Sequence, residues 1–342
     1  MATGADTEAT VRVAAVDMGS NTTRLIVADV QRDADGVVTH EALERRSTIT
    51  RLAEGVDARG ILLPEPITRV RNALIDYRRA AREHGAVFVL ATATSAVRDA
   101  DNGEAFLGEI EHGFGFRAVL LGGTQEAEAT WAGVTSDKAT AARARTGTGW
   151  LIDIGGGSTE IVLTSTGAIV DRHSFQLGSV RLTERFLAEA GDPPSRACLD
   201  AARAAIRAEL VARFPAPATP DLAIGVAGTV TTVSAIQLDR EVYDPTLVHG
   251  FTFGPAELIA VIERLAALPV TERAEVRGLE PQRAPVILGG LLVLECALAH
   301  FGIEQIETSE RDILDGIALM AGTIALDEGI DEMPQPFGHT VC

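Results

Sequence analysis

Two short stretches of this 342-residue chain place an aspartate, glycines and hydroxyl side chains between apolar, strand-like segments. The first is DMGSNTT, which begins at Asp17, and the second is DIGGGST, which begins at Asp153. Glycine lets the main chain approach a ligand closely, and successive N–H groups in such turns form concave anion sites. Ser20, Thr22 and Ser158 add hydroxyl donors. Both stretches therefore predict phosphate-binding loops.

Carboxylates accompany both loops. Asp17 and Asp153 end the strands that lead into the loops, and Glu160 follows the second loop. Carboxylates repel a bound phosphate unless a cation lies between them, and Mg²⁺ prefers one or two carboxylates together with water and phosphate oxygens. The pattern indicates a site for Mg²⁺ or another divalent cation. The alternative is that the aspartates only cap turns and the glycines only mark loops.

Each loop lies between two predicted strands. The two strand–loop–strand units align without a gap, and Asp17 coincides with Asp153. A repeat at this distance predicts two related domains, each of which contributes one loop to a shared cleft. The four predicted strands are Val11–Val16, Leu25–Val30, Trp150–Ile154 and Glu160–Thr164.

Further strands alternate with amphipathic helices along the rest of the chain, which is typical of an α/β protein. The predicted strands are Ala86–Ala91, Arg117–Leu121, Leu222–Val226 and Gln305–Thr308, and the predicted helices are Pro64–His84, Ser195–Phe214, Pro255–Ala267, Arg283–Phe301 and Ile313–Leu326.

Composition excludes several classes of protein. A net charge of −18 without a basic run argues against nucleic acid as a partner. No apolar run approaches the roughly 20 residues of a membrane span, so no membrane partner is expected, and no secretory signal is visible. Three scattered cysteines, Cys198, Cys296 and Cys342, fit a reducing compartment, which predicts a cytoplasmic location. Neither loop has the lysine of GxxxxGK[ST] or the strand-to-helix turn of GxGxxG.

Seven segments occur in an order that resembles the motif set of the exopolyphosphatase/guanosine pentaphosphate phosphatase family. That family lies within the actin/heat-shock-chaperone/sugar-kinase superfamily. The similarity extends from about Val13 to Leu326, and the chain resembles the short, two-domain form of the family. The segments are DMGSNTTRL, LATATSAVRDA, GGTQEAEATWAGV, DIGGGSTEIV, GSVRLTERF, GVAGTVTTVSAI and SERDILDGIALM.

The resemblance implies an α/β fold of two actin-like, ribonuclease H-type domains. Each domain has a mixed sheet flanked by helices, and the active site lies in the interdomain cleft. Domain I is expected at 1–131 plus about 311–330, domain II at 132–310, and a tail at 331–342.

The resemblance also implies roles for individual residues. Asp153 and Glu160 would hold the metal, with Asp17 as a third candidate, and Arg98 would bind substrate phosphate. The phosphate-binding residues of the two loops would be Gly19, Ser20, Asn21 and Thr22 in the first, and Gly155, Gly156, Gly157, Ser158 and Thr159 in the second.

Glu126 matches the catalytic glutamate of the family and would orient or deprotonate the attacking water. From the residues alone, Glu126 is also explained as a favourable acid in the first turn of a helix, and Glu128 competes with it. Arg98 is equally explained by a salt bridge with Asp99 or Asp101. The sequence does not rank three further arginines that could line a polyanion path: Arg181, Arg283 and Arg311. Arg24 occupies the position of Glu160 in the second repeat, which fits a place in the cleft and a surface role equally well.

The implied enzyme is a phosphoanhydride hydrolase, an exopolyphosphatase that releases terminal phosphate from inorganic polyphosphate with Mg²⁺. The same chemistry on guanosine pentaphosphate is an alternative. A nucleotide-binding sensor or ATPase of the superfamily is an alternative of another class. Two apolar segments, Leu291–Phe301 and Ile313–Met320, fit a homodimer interface or equally a pair of internal helices.

Overall fold

A computed structural model describes residues 9–188 and 191–333. The chain forms two compact units, Met1–Ser136 with Ile313–Cys342, and Asp137–Asp312. The predicted boundary at 131/132 falls inside a helix that continues to Thr135. Both predicted boundaries stay predictions. Of the predicted tail, 334–342 lies outside the described residues, as do residues 1–8 of predicted domain I.

The elements within the described residues alternate as an α/β protein requires. The strands are β1 (Ala9–Met18), β2 (Thr22–Arg32), β3 (Val38–Ile49), β4 (Phe88–Ala93), β5 (Arg117–Leu120), β6 (Thr148–Ile154), β7 (Thr159–Ser165), β8 (Ala168–Phe175), β9 (Leu222–Val226), β10 (Thr252–Phe253) and β11 (Ile306–Thr308). The α-helices are α1 (Val56–Arg59), α2 (Pro64–Glu83), α3 (Ser95–Arg98), α4 (Gly103–Phe114), α5 (Gly123–Thr135), α6 (Lys138–Ala144), α7 (Ser179–Leu182), α8 (Arg196–Arg213), α9 (Ala227–Leu238), α10 (Pro245–Val248), α11 (Pro255–Ala266), α12 (Val270–Arg273), α13 (Ile287–Phe301) and α14 (Ile313–Glu328), with a π-helical segment at Thr183–Leu187 and a 3₁₀ turn at Pro281–Arg283.

The first unit contains a five-stranded mixed sheet in the order β3-β2-β1-β4-β5. β1, β2 and β3 form an antiparallel meander, and β4 and β5 run parallel to β1. The carboxyl ends of β1, β4 and β5 therefore meet at one edge of the sheet, where ligands bind in open α/β sheets.

The second unit repeats this arrangement in a sheet of order β10-β11-β9-β6-β7-β8. β6, β7 and β8 form the antiparallel meander, while β9 and β11 continue parallel to β6. The order β8-β7-β6-β9-β11 matches that of the first sheet. The predicted fold class, α/β with two mixed sheets flanked by helices, is confirmed.

Each sheet is covered by an apolar helix of its own unit. In α14, a Cβ on Gly316 would lie 1.9 Å from the carbonyl oxygen of Ala129, so α14 packs directly on α5. In α13, nearly every side chain is buried in the core of the second unit. The apolar segments that suggested a dimer interface are thus buried within separate units. Among the described residues, no helix combines the length and apolarity needed to cross a membrane.

Helix α2 shows how sequence periodicity positions the first unit's meander. Pro64 opens the helix, and Val70, Leu74 and Tyr77 bury one face at helical spacing. The Tyr77 hydroxyl donates to the carbonyl oxygen of Thr23 at 2.8 Å, which fixes the helix against β2.

Helix α13 begins later than the sequence predicts. The prediction started it at Arg283, but Arg283 ends a short 3₁₀ turn and the helix starts at Ile287. Pro285 lies between the two elements and has no N–H, so it cannot donate a hydrogen bond that would continue the 3₁₀ turn into the helix.

Candidate active site

The first predicted phosphate loop is a tight turn between β1 and β2. The N–H of Gly19 donates to the carbonyl of Thr22 at 3.1 Å, and a Cβ on Gly19 would lie 2.8 Å from that oxygen. The carbonyl of Asn21 accepts from the N–H groups of Thr50 and Arg51 at 3.0 and 2.9 Å. The chain that follows β3 therefore holds the loop in place, and only glycine fits at position 19.

Ser95 is part of this site, although the sequence interpretation missed it. Its hydroxyl lies 2.9 Å from the hydroxyl of Ser20, and both side chains are buried. Ser95 follows β4, and β4 is the parallel neighbour of β1. A polar residue at the carboxyl end of an adjacent parallel strand is the signal that could have identified it.

Glu126 and Arg98 lie at the same edge of the sheet. Glu126 is in the first turn of α5, directly after β5, and Arg98 ends α3, after β4. Arg98 Nη1 donates to the Glu126 carboxylate and, at 2.9 Å, to the carbonyl of Leu121. Glu126 is 4% exposed, whereas Glu128 points to solvent. The fold thus separates the two competing glutamates and pairs Arg98 with Glu126.

Burial raises the pKa of Glu126 to about 7. The hydrogen bond and the charge of Arg98 oppose this shift, whereas the negative charges of Asp17 and Asp99 add to it. Desolvation dominates because a carboxylate loses more hydration on burial than one guanidinium restores. A carboxyl with this pKa exchanges its proton near neutral pH, as a general base requires.

Asp17 faces Arg24 across the β1–β2 ladder. Arg24 Nη2 lies 2.8 Å from Asp17 Oδ2, and the Asp17 side chain is only 6% exposed. A guanidinium binds a carboxylate through two N–H groups, and Arg24 Nε adds a second contact at 3.2 Å. Arg24 therefore balances the charge of Asp17 inside the first unit.

The second loop repeats the hydrogen bonding of the first. The N–H of Gly155 donates to the carbonyl of Ser158 at 3.0 Å, three residues ahead, as Gly19 donates to Thr22. Gly156, Gly157, Ser158 and Thr159 are buried in this turn.

A segment after β8 braces the second loop, as the segment after β3 braces the first. The N–H groups of Ser179 and Val180 each donate at 2.9 Å to the carbonyls of Gly155 and Gly156. A Cβ on Gly178 would lie 2.2 Å from the carbonyl oxygen of Gly156, so this close approach requires glycine.

The structure also places the arginines that the sequence did not rank. Arg181 is 9% exposed, and its Nε donates to the carbonyl of Gly157 at 2.8 Å, so it supports the second loop from within the unit. Arg283 lies over Gly228 at the start of α9 and pairs with Glu280 at 3.0 Å. Arg311 is half-buried near the end of the second unit.

Asp153 and Glu160 lie directly opposite each other in the β6–β7 ladder, and both are buried. Ser174 donates to Glu160 Oε1 at 2.6 Å. Like charges directly opposite each other on one sheet face destabilise a strand pair. Within the described ranges, no group of three or more His, Cys, Asp or Glu residues is arranged so that it could hold a metal ion. The pair fits Mg²⁺ held jointly with water and phosphate oxygens, and does not form an all-protein cage.

Each unit thus gathers a different set of predicted residues. The first brings the loop Gly19–Thr22 together with Asp17, Arg98 and Glu126. The second brings the loop Gly155–Thr159 together with the Asp153 and Glu160 carboxylates. The first set can orient and deprotonate water beside an anion site, and the second can hold a cation beside an anion site.

Comparison with known proteins gives consistent matches. Exopolyphosphatase 2 of Mycobacterium tuberculosis is 38% identical over 325 residues, which cover 91% of this chain and 98% of that protein. The crystal structure of an exopolyphosphatase-like protein has a TM-score of 0.83 at 32% identity and covers 93% of this chain and 99% of its own. The crystal structure of the Aquifex aeolicus Ppx/GppA family member has a TM-score of 0.75 at 27% identity, with 94% and 99% covered.

The family model of the Ppx/GppA phosphatase family matches residues 26–321, which is most of the chain. The seven sequence segments pointed to the same family, and that prediction is confirmed. Sequence, fold and duplicated loops agree, and the chain belongs to the Ppx/GppA phosphatase family.

Proposed function

We propose that this protein is an exopolyphosphatase that hydrolyses the terminal phosphoanhydride bond of inorganic polyphosphate with the help of a divalent cation. The observation that carries the proposal is the buried carboxyl of Glu126, whose pKa of about 7 suits a general base. The phosphatase family supports the reaction class, and a relative named exopolyphosphatase 2 supports polyphosphate as the substrate.

In the proposed reaction, Glu126 orients a water molecule and accepts its proton while the water oxygen bonds to the terminal phosphorus. The P–O bond to the rest of the chain breaks, and its electron pair leaves with the shortened chain. General-base catalysis of this kind contributes about 10²–10⁴-fold to the rate. Arg98 would hold both the Glu126 carboxylate and the terminal phosphate, because a guanidinium has five N–H donors.

We propose that Asp153 and Glu160 hold Mg²⁺, which when bound neutralises charge on the phosphoryl oxygens. Asp17 was the third predicted ligand, and its salt bridge to Arg24 makes it the weakest of the three.

The two glycine-rich loops, Gly19–Thr22 in the first unit and Gly155–Thr159 in the second, would each bind phosphates of the substrate. A cytoplasmic location stays a prediction. So does a homodimer, although the apolar segments that suggested it are buried.

The proposal is tested by measuring phosphate release from long-chain polyphosphate, tripolyphosphate, guanosine pentaphosphate and ATP, with Mg²⁺ and with EDTA. We expect Mg²⁺-dependent release that is fastest from inorganic polyphosphate. Preference for guanosine pentaphosphate would move the assignment to that alternative substrate. Tight ATP binding without phosphate release from any substrate would replace the enzyme with a nucleotide sensor.

A matched pair of variants tests the role of Glu126. Glu126→Gln should lower kcat at least about 10²-fold while the protein stays folded, because it removes the base. Glu128→Gln makes the same change two residues away on the exposed face of α5 and should retain activity. Equal activity of the two variants would refute the assignment.

A further inference from the structure

A cavity of about 490 Å³ lies in the first unit between the last turns of α2 and the end of α4. Three arginines of α2 line it, Arg78, Arg79 and Arg82, with Glu83 as an acid among the lining residues. Arg79 pairs with Asp76 at 2.7 Å, so the three arginines leave a smaller excess of positive charge at the cavity, in a chain of net charge −18.

Arg78 provides the observation that indicates a ligand. Its Nε and Nη2 atoms are shielded from solvent and have no hydrogen-bond partner. Burial lowers the pKa of Arg78, and the like charge of Arg82 lowers it further. Buried donors without acceptors are rare in folded proteins, and Nε with Nη2 is an edge of the guanidinium that can bind an oxyanion in bidentate fashion.

The cavity lies at the opposite end of the sheet from the first phosphate loop. The end of α2 is tied to the start of β1, because Arg12 Nη1 donates to the carbonyl of His84 at 3.0 Å. The loop begins after Met18, at the far end of β1. Six residues of strand separate Arg12 from Met18, which is roughly 20 Å. A ligand in this cavity would therefore not occupy the first phosphate loop.

We propose that this cavity is a second anion site, which binds the phosphates of a condensed phosphate chain, either inorganic or linked to a nucleoside. The arginines provide the charge, and Ile75 and Phe114 provide an apolar wall. Ile75 is 58% exposed on α2, so its side chain is accessible to a ligand in the cavity.

The test measures ligand binding at the Arg78 side chain directly. Tripolyphosphate is titrated in EDTA into ¹⁵N-labelled protein that carries Glu126→Gln, and the Nε–Hε resonances of the arginines are followed by NMR. The Arg78 resonance, assigned from Arg78→Gln, should shift and saturate. An Arg78 resonance that stays unmoved when tripolyphosphate is in excess would overturn the proposal. Because the readout lies away from Glu126, its outcome is independent of whether the protein hydrolyses polyphosphate.

Affinity measurements provide a second test of the proposed anion site. The double variant Arg78→Gln with Arg82→Gln should bind tripolyphosphate at this site at least about tenfold more weakly, since charge-assisted hydrogen bonds are lost. Arg71→Gln is the matched control, because Arg71 is on the same helix but pairs with Glu109 at 2.6 Å. Equal weakening in the control would refute the site.

Comparing the binding of ATP with that of tripolyphosphate shows whether the phosphate chain is linked to a nucleoside or inorganic. If ATP binds more tightly than tripolyphosphate, the apolar wall contacts a nucleoside base. If the two bind equally well, the site recognises inorganic phosphate chains. A shift of the Arg78 resonance with adenosine alone, and none with tripolyphosphate, would contradict phosphate recognition.

Discussion

Removal of the Arg98 charge should raise the pKa of Glu126 and move the acid limb of the pH–rate profile upward. Burial raises the pKa of Glu126 to about 7, and Arg98 opposes that effect through its hydrogen bond and charge. An opposite charge within a few ångströms lowers a carboxyl pKa by roughly 1–3 units. In Arg98→Gln, the Glu126 carboxyl should therefore stay protonated to a pH of roughly 8–10.

The magnitude at neutral pH follows from the protonation equilibrium. With a pKa of about 7, about half of Glu126 is ionised at pH 7 in the unmodified protein. After a rise of roughly one unit, only about a tenth is ionised at that pH. Since a general base acts only when ionised, kcat/KM at pH 7 should fall about fivefold from protonation alone and recover at higher pH.

The assay is kcat/KM for tripolyphosphate as a function of pH, because this quantity reports the ionisation of the free enzyme. The terminal phosphate of the substrate also titrates, at about pH 6 by analogy with a phosphate monoester. This titration affects the pH profiles of the unmodified protein and of Arg98→Gln equally. Carbon-13 NMR of the Glu126 carboxyl gives the same pKa directly.

A different outcome is expected if Arg98 does not affect the pKa of Glu126. If Arg98 only binds substrate phosphate, Arg98→Gln will raise KM and leave the midpoint of the pH profile where it was. That result would refute the coupling between Arg98 and Glu126 that the structure displays. A midpoint near 4.5 in the unmodified protein would refute the rise of the Glu126 pKa on burial.

Three further predictions concern the loops. Glu160→Gln should weaken apparent Mg²⁺ affinity at least about tenfold, measured by phosphate release against Mg²⁺ concentration, since even outer partners of a metal contribute that much. Gly178→Ala should lower the free energy of unfolding in urea because its Cβ meets backbone at 2.2 Å, whereas Gly108→Ala, with nothing within 4 Å, should raise it by up to about 1 kcal/mol. Ser95→Ala should raise KM and destabilise the protein by about 1–3 kcal/mol, because Ser20 loses a buried partner; an unchanged KM would contradict this.

The loops and their flanking strands could be predicted from the sequence because the information is local. Alternation, glycine and the hydroxyl cluster lie within about a dozen residues, and the two repeats align without a gap. The structure pairs Val16 with Leu25 and Ile152 with Ile161, equivalent positions of the two repeats.

The third strand of each meander could not be predicted in this way. β3 has the sequence VTHEALERRSTI and is mostly exposed. An edge strand of this kind buries too little apolar surface to show a period of two, so its conformation depends on hydrogen bonding to β2. β8 is the equivalent edge strand of the second unit.

The partner of Arg98 also depended on tertiary structure. The sequence offered the neighbouring acids Asp99 and Asp101, whereas the fold supplies Glu126, which is 28 residues away. Parallel strands join the two positions, because Arg98 follows β4 and Glu126 follows β5. Local charge patterns cannot identify such a pair, but strand order can.

One difference between the repeats supports the different roles that we propose for them. Asp17 and Asp153 occupy equivalent positions, but the residue opposite Asp17 is Arg24, whereas the residue opposite Asp153 is Glu160. In the first unit the Arg24 guanidinium pairs with the aspartate, and Glu126 in α5 is a nearby carboxyl whose pKa is raised by burial. In the second unit two buried carboxylates face each other, and this is the pair that we propose for the cation. The proposed roles follow this difference, with proton transfer placed in the first unit and metal binding in the second.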